Sequence, residues 1–293
     1  MRVTEKMVYE NSLAQTERSR ENMDKAQNEV ASGKRVEHPG DDPAASSLTV
    51  GHTVDKARFS AVSKNAQQAA DELNAADTAL EGIGTAASRV LQLATQYGND
   101  SYGATDRASG ALTIDGIIQQ TVGLLNTTYS GRYIFGGSQD GSAPFDATGN
   151  YLGDSVMRSV EVSPGLYQTS SLDANTIVKG GSTGVDFLKT LTDLSTALAN
   201  NDGAAIRASV GNINTAIDQI NVGRTQAGMG VDAFQSAVST ADTAVDNETV
   251  TIGKLMDADV IDATTRLNSA QYALNATLTA AAKTMSMSLV DKL

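Results

Sequence analysis

From Phe59 to Tyr97 the apolar and small residues recur without a fault: Phe59, Val62, Ala66, Ala69, Leu73, Ala76, Leu80, Ile83, Ala87, Val90, Ala94 and Tyr97. The steps alternate three and four, a mean near 3.5, which is the seam of a coiled-coil helix. At 1.5 Å per residue such a helix is roughly 60 Å long. Gly82 and Gly84 are expected to weaken it locally. A further helix is predicted from Ile114, Ile118, Val122, Leu125 and Tyr129.

The pattern returns late in the chain. Ile206, Val210, Ile213, Ile217, Ile220, Arg224, Ala227, Val231, Phe234, Val238, Ala241, Val245, Glu248, Ile252 and Leu255 step four and three again. Only Arg224 and Glu248 interrupt this stripe. It slips phase at "MDADV" and resumes as Val260, Ala263, Leu267, Ala270, Leu274, Leu278, Ala281, Met285 and Leu289. A phase break marks a boundary between two helical segments, with Asp257 or Asp259 as cap of the second. At the other end, Val3, Met7, Leu13, Met23 and Val30 make a thin stripe on a polar helix over 3–32. That stripe buries too little to hold a helix alone against its entropy cost.

Residues 131–184 break the helical rhythm. Nine of the thirteen aromatics fall between Tyr97 and Phe187, and Gly-rich turns separate short runs such as "RYIF" and "SVMRSVEV". Val156, Val160 and Val162 share a period-two face, the mark of a strand. The two helical arms come from opposite halves of the chain and each lacks a local partner. The predicted fold is therefore mainly α: long antiparallel coiled-coil-like helices from both ends, with a small β-rich outer domain inserted in the middle. Terminal helices at 1–32 and 258–293, a helical-bundle domain at 33–130 and 185–257, and the outer domain at 131–184 follow as the expected division.

Composition narrows the chemistry. The 293 residues contain no cysteine and no tryptophan, and aromatics are 4%. Disulfides, thiolate metal sites and thiol nucleophiles are excluded. The net charge of −12 is concentrated in residues 59–253, with nine Lys/Arg against twenty Asp/Glu. An acidic middle disfavours nucleic acid and anionic membranes as partners. No run approaches the ~18 apolar residues of a membrane span, so no membrane insertion is expected. The opening "MRVTEKMVYENS" has glutamates where a cleavable signal needs an apolar stretch. Two histidines, His38 and His52, leave little scope for a Ser-His-Asp arrangement. The abundant carboxylates are expected on solvated helix faces, and no catalytic residue, cofactor or metal is assigned.

The stretch "ASGKRVEHPGDDPAAS", Ala31 to Ser46, is the one that most resembles a site. Its cations do not form a phosphate loop, since "GKR" lacks the upstream glycine and the hydroxyl. His38, Asp41 and Asp42 supply too few convergent ligands for a metal. Punctuation explains the segment: Gly33 stops one helix, Pro39 with Gly40 makes a turn, and Asp42 caps the next with Pro43 at its first position.

Three segments resemble the flagellin superfamily, and within it the hook–filament junction branch of bacterial flagella. They are "NEVASGKRVEHPGDDPAAS", the interior "SGRYIFGGSQDGSAPF", and the tail "DATTRLNSAQYALNATLTAAAKTMSMSLVDKL". The resemblance implies an exported, non-enzymatic subunit, secreted without a cleaved signal through the flagellar type III apparatus. Its implied partners are copies of itself in a ring, a neighbouring hook-associated protein, flagellin and an export chaperone. The stripes of the two terminal helices would then be assembly surfaces: Val3, Met7, Leu13, Met23 and Val30, with Val260, Leu267, Leu274, Leu278, Met285 and Leu289. A flagellin is the nearest alternative. A signalling coiled coil shares the heptads, but the missing membrane span and the β-insertion argue against it.

Overall fold

The computed structural model describes residues 2–163 and 165–290, with side chains over 6–163 and 165–283. In chain order the elements are α1 (Arg2–Ser32), α2 (Pro43–Tyr97), α3 (Ala104–Leu125), β1 (Thr128–Tyr129), β2 (Arg132–Tyr133), β3 (Ser159–Ser163), β4 (Leu166–Thr169), α4 (Ala174–Lys179), α5 (Phe187–Ala199), α6 (Gly203–Met256) and α7 (Val260–Val290). The chain divides into two compact units, Met1–Arg58 with Ala244–Leu293, and Phe59–Thr243. The long helices α2 and α6 contribute to both.

In the second unit the predicted seams face inward. Leu73, Leu80, Ile83 and Val90 of α2 and Ile206, Ile213, Ile220 and Phe234 of α6 are essentially buried. α3 packs on α5, adding Ile114, Leu125, Leu191, Leu194 and Leu198 to the same core. The acidic and amide positions between the seams stay outside, as an amphipathic helix requires.

α2 runs unbroken through Gly82 and Gly84. A Cβ on Gly82 would lie 2.9 Å from Leu124 Cδ1, so glycine at this position lets α3 come close. The third helix is shorter than its stripe. It ends at Leu125 because Asn126 turns its amide to the Phe145 backbone, donating to the carbonyl (2.9 Å) and accepting from the N–H (3.0 Å). Tyr129, expected on that helix, lies in β1 instead.

The 131–184 segment holds little regular sheet. β1 and β2 pair antiparallel, as do β3 and β4, the latter with an irregularity between Glu161 and Ser163. The rest is turns, one isolated bridge between Phe145 and Tyr151, and α4. Val160 and Val162 pack against the core, but Val156 precedes the strand and is exposed. Ile134, Phe135, Phe145, Leu172, Ile177 and Val178 belong to the helical core cluster itself. A segment this short on strands cannot enclose a core of its own, so it shares the core of the helices. "FGG" forms a turn: Gly137 has φ +67°, and a Cβ there would sit 2.2 Å from the Asp154 carbonyl oxygen.

Candidate assembly interface

The first unit is built around a joint. α1 stops where Gly33 takes φ +69° and donates its N–H to the Glu29 carbonyl (3.0 Å), the left-handed stop expected of this glycine. α2 starts at Pro43, with Asp42 Oδ1 accepting from the Ala45 N–H (3.0 Å). Between them Asp41 accepts from the backbone N–H groups of Glu37 (3.2 Å) and His38 (3.0 Å), which ties the turn through Pro39. Those two bonds hold the Asp41 carboxyl below the usual range. The Ala45 N–H, and then the Arg35 guanidinium, do the same for Asp42.

The cations, unexplained by turn geometry alone, fasten this turn to the other end of the chain. Arg35 and Val36 both donate backbone N–H to the Met256 carbonyl (2.7 and 3.2 Å), and Ala258 donates to the Gly33 carbonyl (2.9 Å). Lys34 bridges Asp257 through the backbone and by its ammonium (2.7 Å). Arg35 reaches the Leu255 carbonyl (2.8 Å) and Asp42 (3.0 Å), and Val36 is fully buried beneath them. The phase break at 257–259 is thus a zipped crossing point. Of the two candidate caps, Asp259 caps α7, accepting from Ile261 N–H (2.8 Å), while Asp257 is taken by Lys34.

From this joint α1 and α7 run packed on each other. Glu29, 7% exposed, accepts from Arg266 (2.8 Å), and Ala26 and Ala263 are buried nearby in sequence. The inward face of α1 is Ser12, Thr16, Ser19, Met23, Ala26 and Val30, stepping four and three like the long seams but mostly in small polar residues. On α7, Ala263, Leu267, Ala270, Leu274, Thr277 and Ala281 are buried or half-buried.

The expected assembly residues therefore fall in two sets. Met23, Val30, Leu267 and Leu274 lie on the faces where α1 and α7 pack. Met7, Leu13, Val260 and Leu278 are turned to solvent. The side chains of Val3, Met285 and Leu289 lie outside the described residues. Sequence periodicity did not single out Val8 and Tyr9 on α1, or Ile261 and Tyr272 on α7, which are also large, apolar and exposed. They interrupt rather than follow the heptads, so only their solvent-facing placement picks them out.

The flagellin N-terminal helical region, described as that of bacterial flagellin, matches residues 3–140. Flagellar hook-associated protein 3 of Salmonella typhimurium is 28% identical over 242 residues, 79% of this chain and 73% of that protein. The Escherichia coli protein of the same name is 30% identical over 207 residues, 70% of this chain and 62% of its own length. A flagellin from Listeria monocytogenes is 28% identical over 245 residues, 83% of this chain and 81% of the flagellin. In fold, the chain is similar to the crystal structure of Bacillus cereus FlgL, with a TM-score of 0.58 and 23% identity over 71% of this chain and 99% of that one. In sequence the chain is similar to flagellar hook-associated protein 3 and, over residues 3–140, to the N-terminal helical region of bacterial flagellin.

Proposed function

We propose that this protein is a structural, non-enzymatic subunit of the extracellular bacterial flagellum that joins hook to filament. The observation that carries this reading is the number of large apolar side chains turned to solvent on α1 and α7, with Met7, Tyr9 and Leu13 on one helix and Val260, Tyr272 and Leu278 on the other. Large exposed apolar groups on a helix pair mark a surface built to be covered, and copies of the chain in a ring supply the matching surface. In this scheme residues 1–32 and 258–293 form the inner layer, 33–130 with 185–257 a long helical domain, and 131–184 an outer domain. In the flagellum its neighbours are another hook-associated protein on one side and flagellin on the other. Export runs through the flagellar type III apparatus, with a chaperone on the C-terminal region.

The test combines Leu13→Asp and Leu278→Asp. Both positions face water in the single chain, so the melting temperature of the purified protein should stay within a few degrees of the parent. In the assembly each would bury an unpaired carboxylate, a penalty of several kcal/mol repeated in every subunit. Incorporation at hook tips should therefore fail while the variant still reaches the culture medium. Filaments growing normally on the variant would overturn the assembly surface. A flagellin instead would be the bulk component of the filament, and a strain lacking the chain would then retain a capped hook junction with no filament protein in the medium.

A further inference from the structure

Two positions break the otherwise apolar α6 seam, Arg224 and Glu248, and both find partners on α2. Arg224 pairs with Asp77 (2.9 Å) and lies 3.6 Å from Glu81. Glu248 accepts from or pairs with His52 Nδ1 at 2.7 Å. Each compact unit contains one of these pairs. All four principal side chains are at most about a third exposed, so the charges are drawn well into the contact.

The α2 seam that faces them is rich in alanine: Ala66, Ala69, Ala76 and Ala87 are buried. Repeated small residues at heptad spacing carry little shape, and a slide of seven residues would again set alanine or another apolar residue against the α6 stripe. The polar pairs do not survive such a slide. Moved by seven residues, Arg224 would meet Ala70 and Asn74, or Gly84 and Ser88, and Glu248 would meet Ala45 or Phe59. In both directions the close pairs are lost: Arg224 comes to lie a turn away from Asp77 or Glu81 instead of against them, and Glu248 loses His52, with Lys56 a turn away in the second direction only. A single polar seam position is known to fix register in coiled coils at some cost in stability.

We propose that Arg224 with Asp77, and Glu248 with His52, are register locks that hold α2 and α6 in a single alignment. The role belongs to the chain itself and holds whatever the assembled state.

The absence of native cysteine makes the alignment directly readable. Ser63 donates to Asp242 at 2.7 Å, so Ser63→Cys with Asp242→Cys reports the native register. Ser63→Cys with Gln235→Cys, or with Thr249→Cys, reports a slide of seven residues in either direction. Each pair is placed in the parent and in the Arg224→Leu, Glu248→Leu variant, refolded from denaturant and oxidised. In the parent only the native pair should link. In the variant one slipped pair should rise at least tenfold above its parental yield, with helix content and melting temperature retained. Arg224→Lys with Glu248 intact, which keeps both charges, should suppress it again. Native linking alone in the leucine variant, equal slippage in the lysine variant, or a leucine variant that does not refold would each overturn the proposal.

Discussion

At the scale of single residues, the joint and the outer segment are held by carboxylates and one phenol. Asp42 caps α2, so Asp42→Ala should lower the melting temperature by the amount of an ordinary lost cap, and Asp42→Asn should nearly restore it. Thermal melting of the two variants side by side checks this, and equal losses would mean the ion pair with Arg35 matters more than the cap. Asp41, Asp42 and Asp154 all have carboxyls held below their ordinary values by hydrogen bonds. For a group whose folded value is depressed, the stabilisation is present above the unfolded value and is lost as pH falls through the folded one. Below about pH 4 the protein should therefore melt progressively lower. Glu72 works the other way: burial pushes its carboxyl up despite the neighbouring Arg158. Tyr151 donates to the Asp154 carbonyl (2.7 Å), and burial, with Asp173 and Asp154 nearby, pushes its phenol up to about 12. Its contribution is full below pH 10 and fades between 10 and 12. Ultraviolet titration should show one tyrosine ionising late, and Tyr151→Phe should remove that step.

At the scale of elements, the long helices and the terminal helices are held by different means. α2 and α6 bury continuous apolar seams within the second unit, whereas α1 offers Ser12, Thr16 and Ser19 at seam positions that elsewhere carry Val or Ile. Burial of apolar area is the main stabilising term for a helix, so α1 and α7 should open more readily. Hydrogen exchange should find the slowest amides in 62–94 of α2 and 206–241 of α6, and faster exchange through residues 6–25. Equal protection in both would show that the α1–α7 pair is as firmly held as the core. Glycines mark where elements approach closely. Gly137→Ala would force a Cβ into the Asp154 carbonyl in a backbone region that L residues rarely adopt, and should cost about 2 kcal/mol or more, read as a shift of the denaturation midpoint. A neutral outcome would mean that the turn can rearrange.

At the scale of the whole molecule, the heptad steps from Phe59 to Tyr97 and from Ile206 to Leu255 were sufficient to define two long helices, because a repeat that regular has one physical meaning. Gly33, Asp42 and Pro43 were equally legible, since stop and start signals act through the backbone next to them. The phase break at 257–259 also showed in the pattern. What local pattern could not show was the use of Lys34, Arg35 and Asp257, whose partners lie more than two hundred positions away. It could not separate Met7 and Leu13 from Met23 and Val30, because a stripe states which residues share a face but not which neighbour covers it. Nor could it reveal that Gly82 is a close-approach site, or that the 131–184 segment shares the helical core instead of enclosing one. Sequence by itself determined the long helices and the stop and start signals at Gly33, Asp42 and Pro43, where hydrogen bonding and side-chain periodicity are settled within a few turns. Only tertiary structure decided which charges pair, which apolar residues remain in water and which glycines are needed, because those depend on what a distant part of the chain brings alongside.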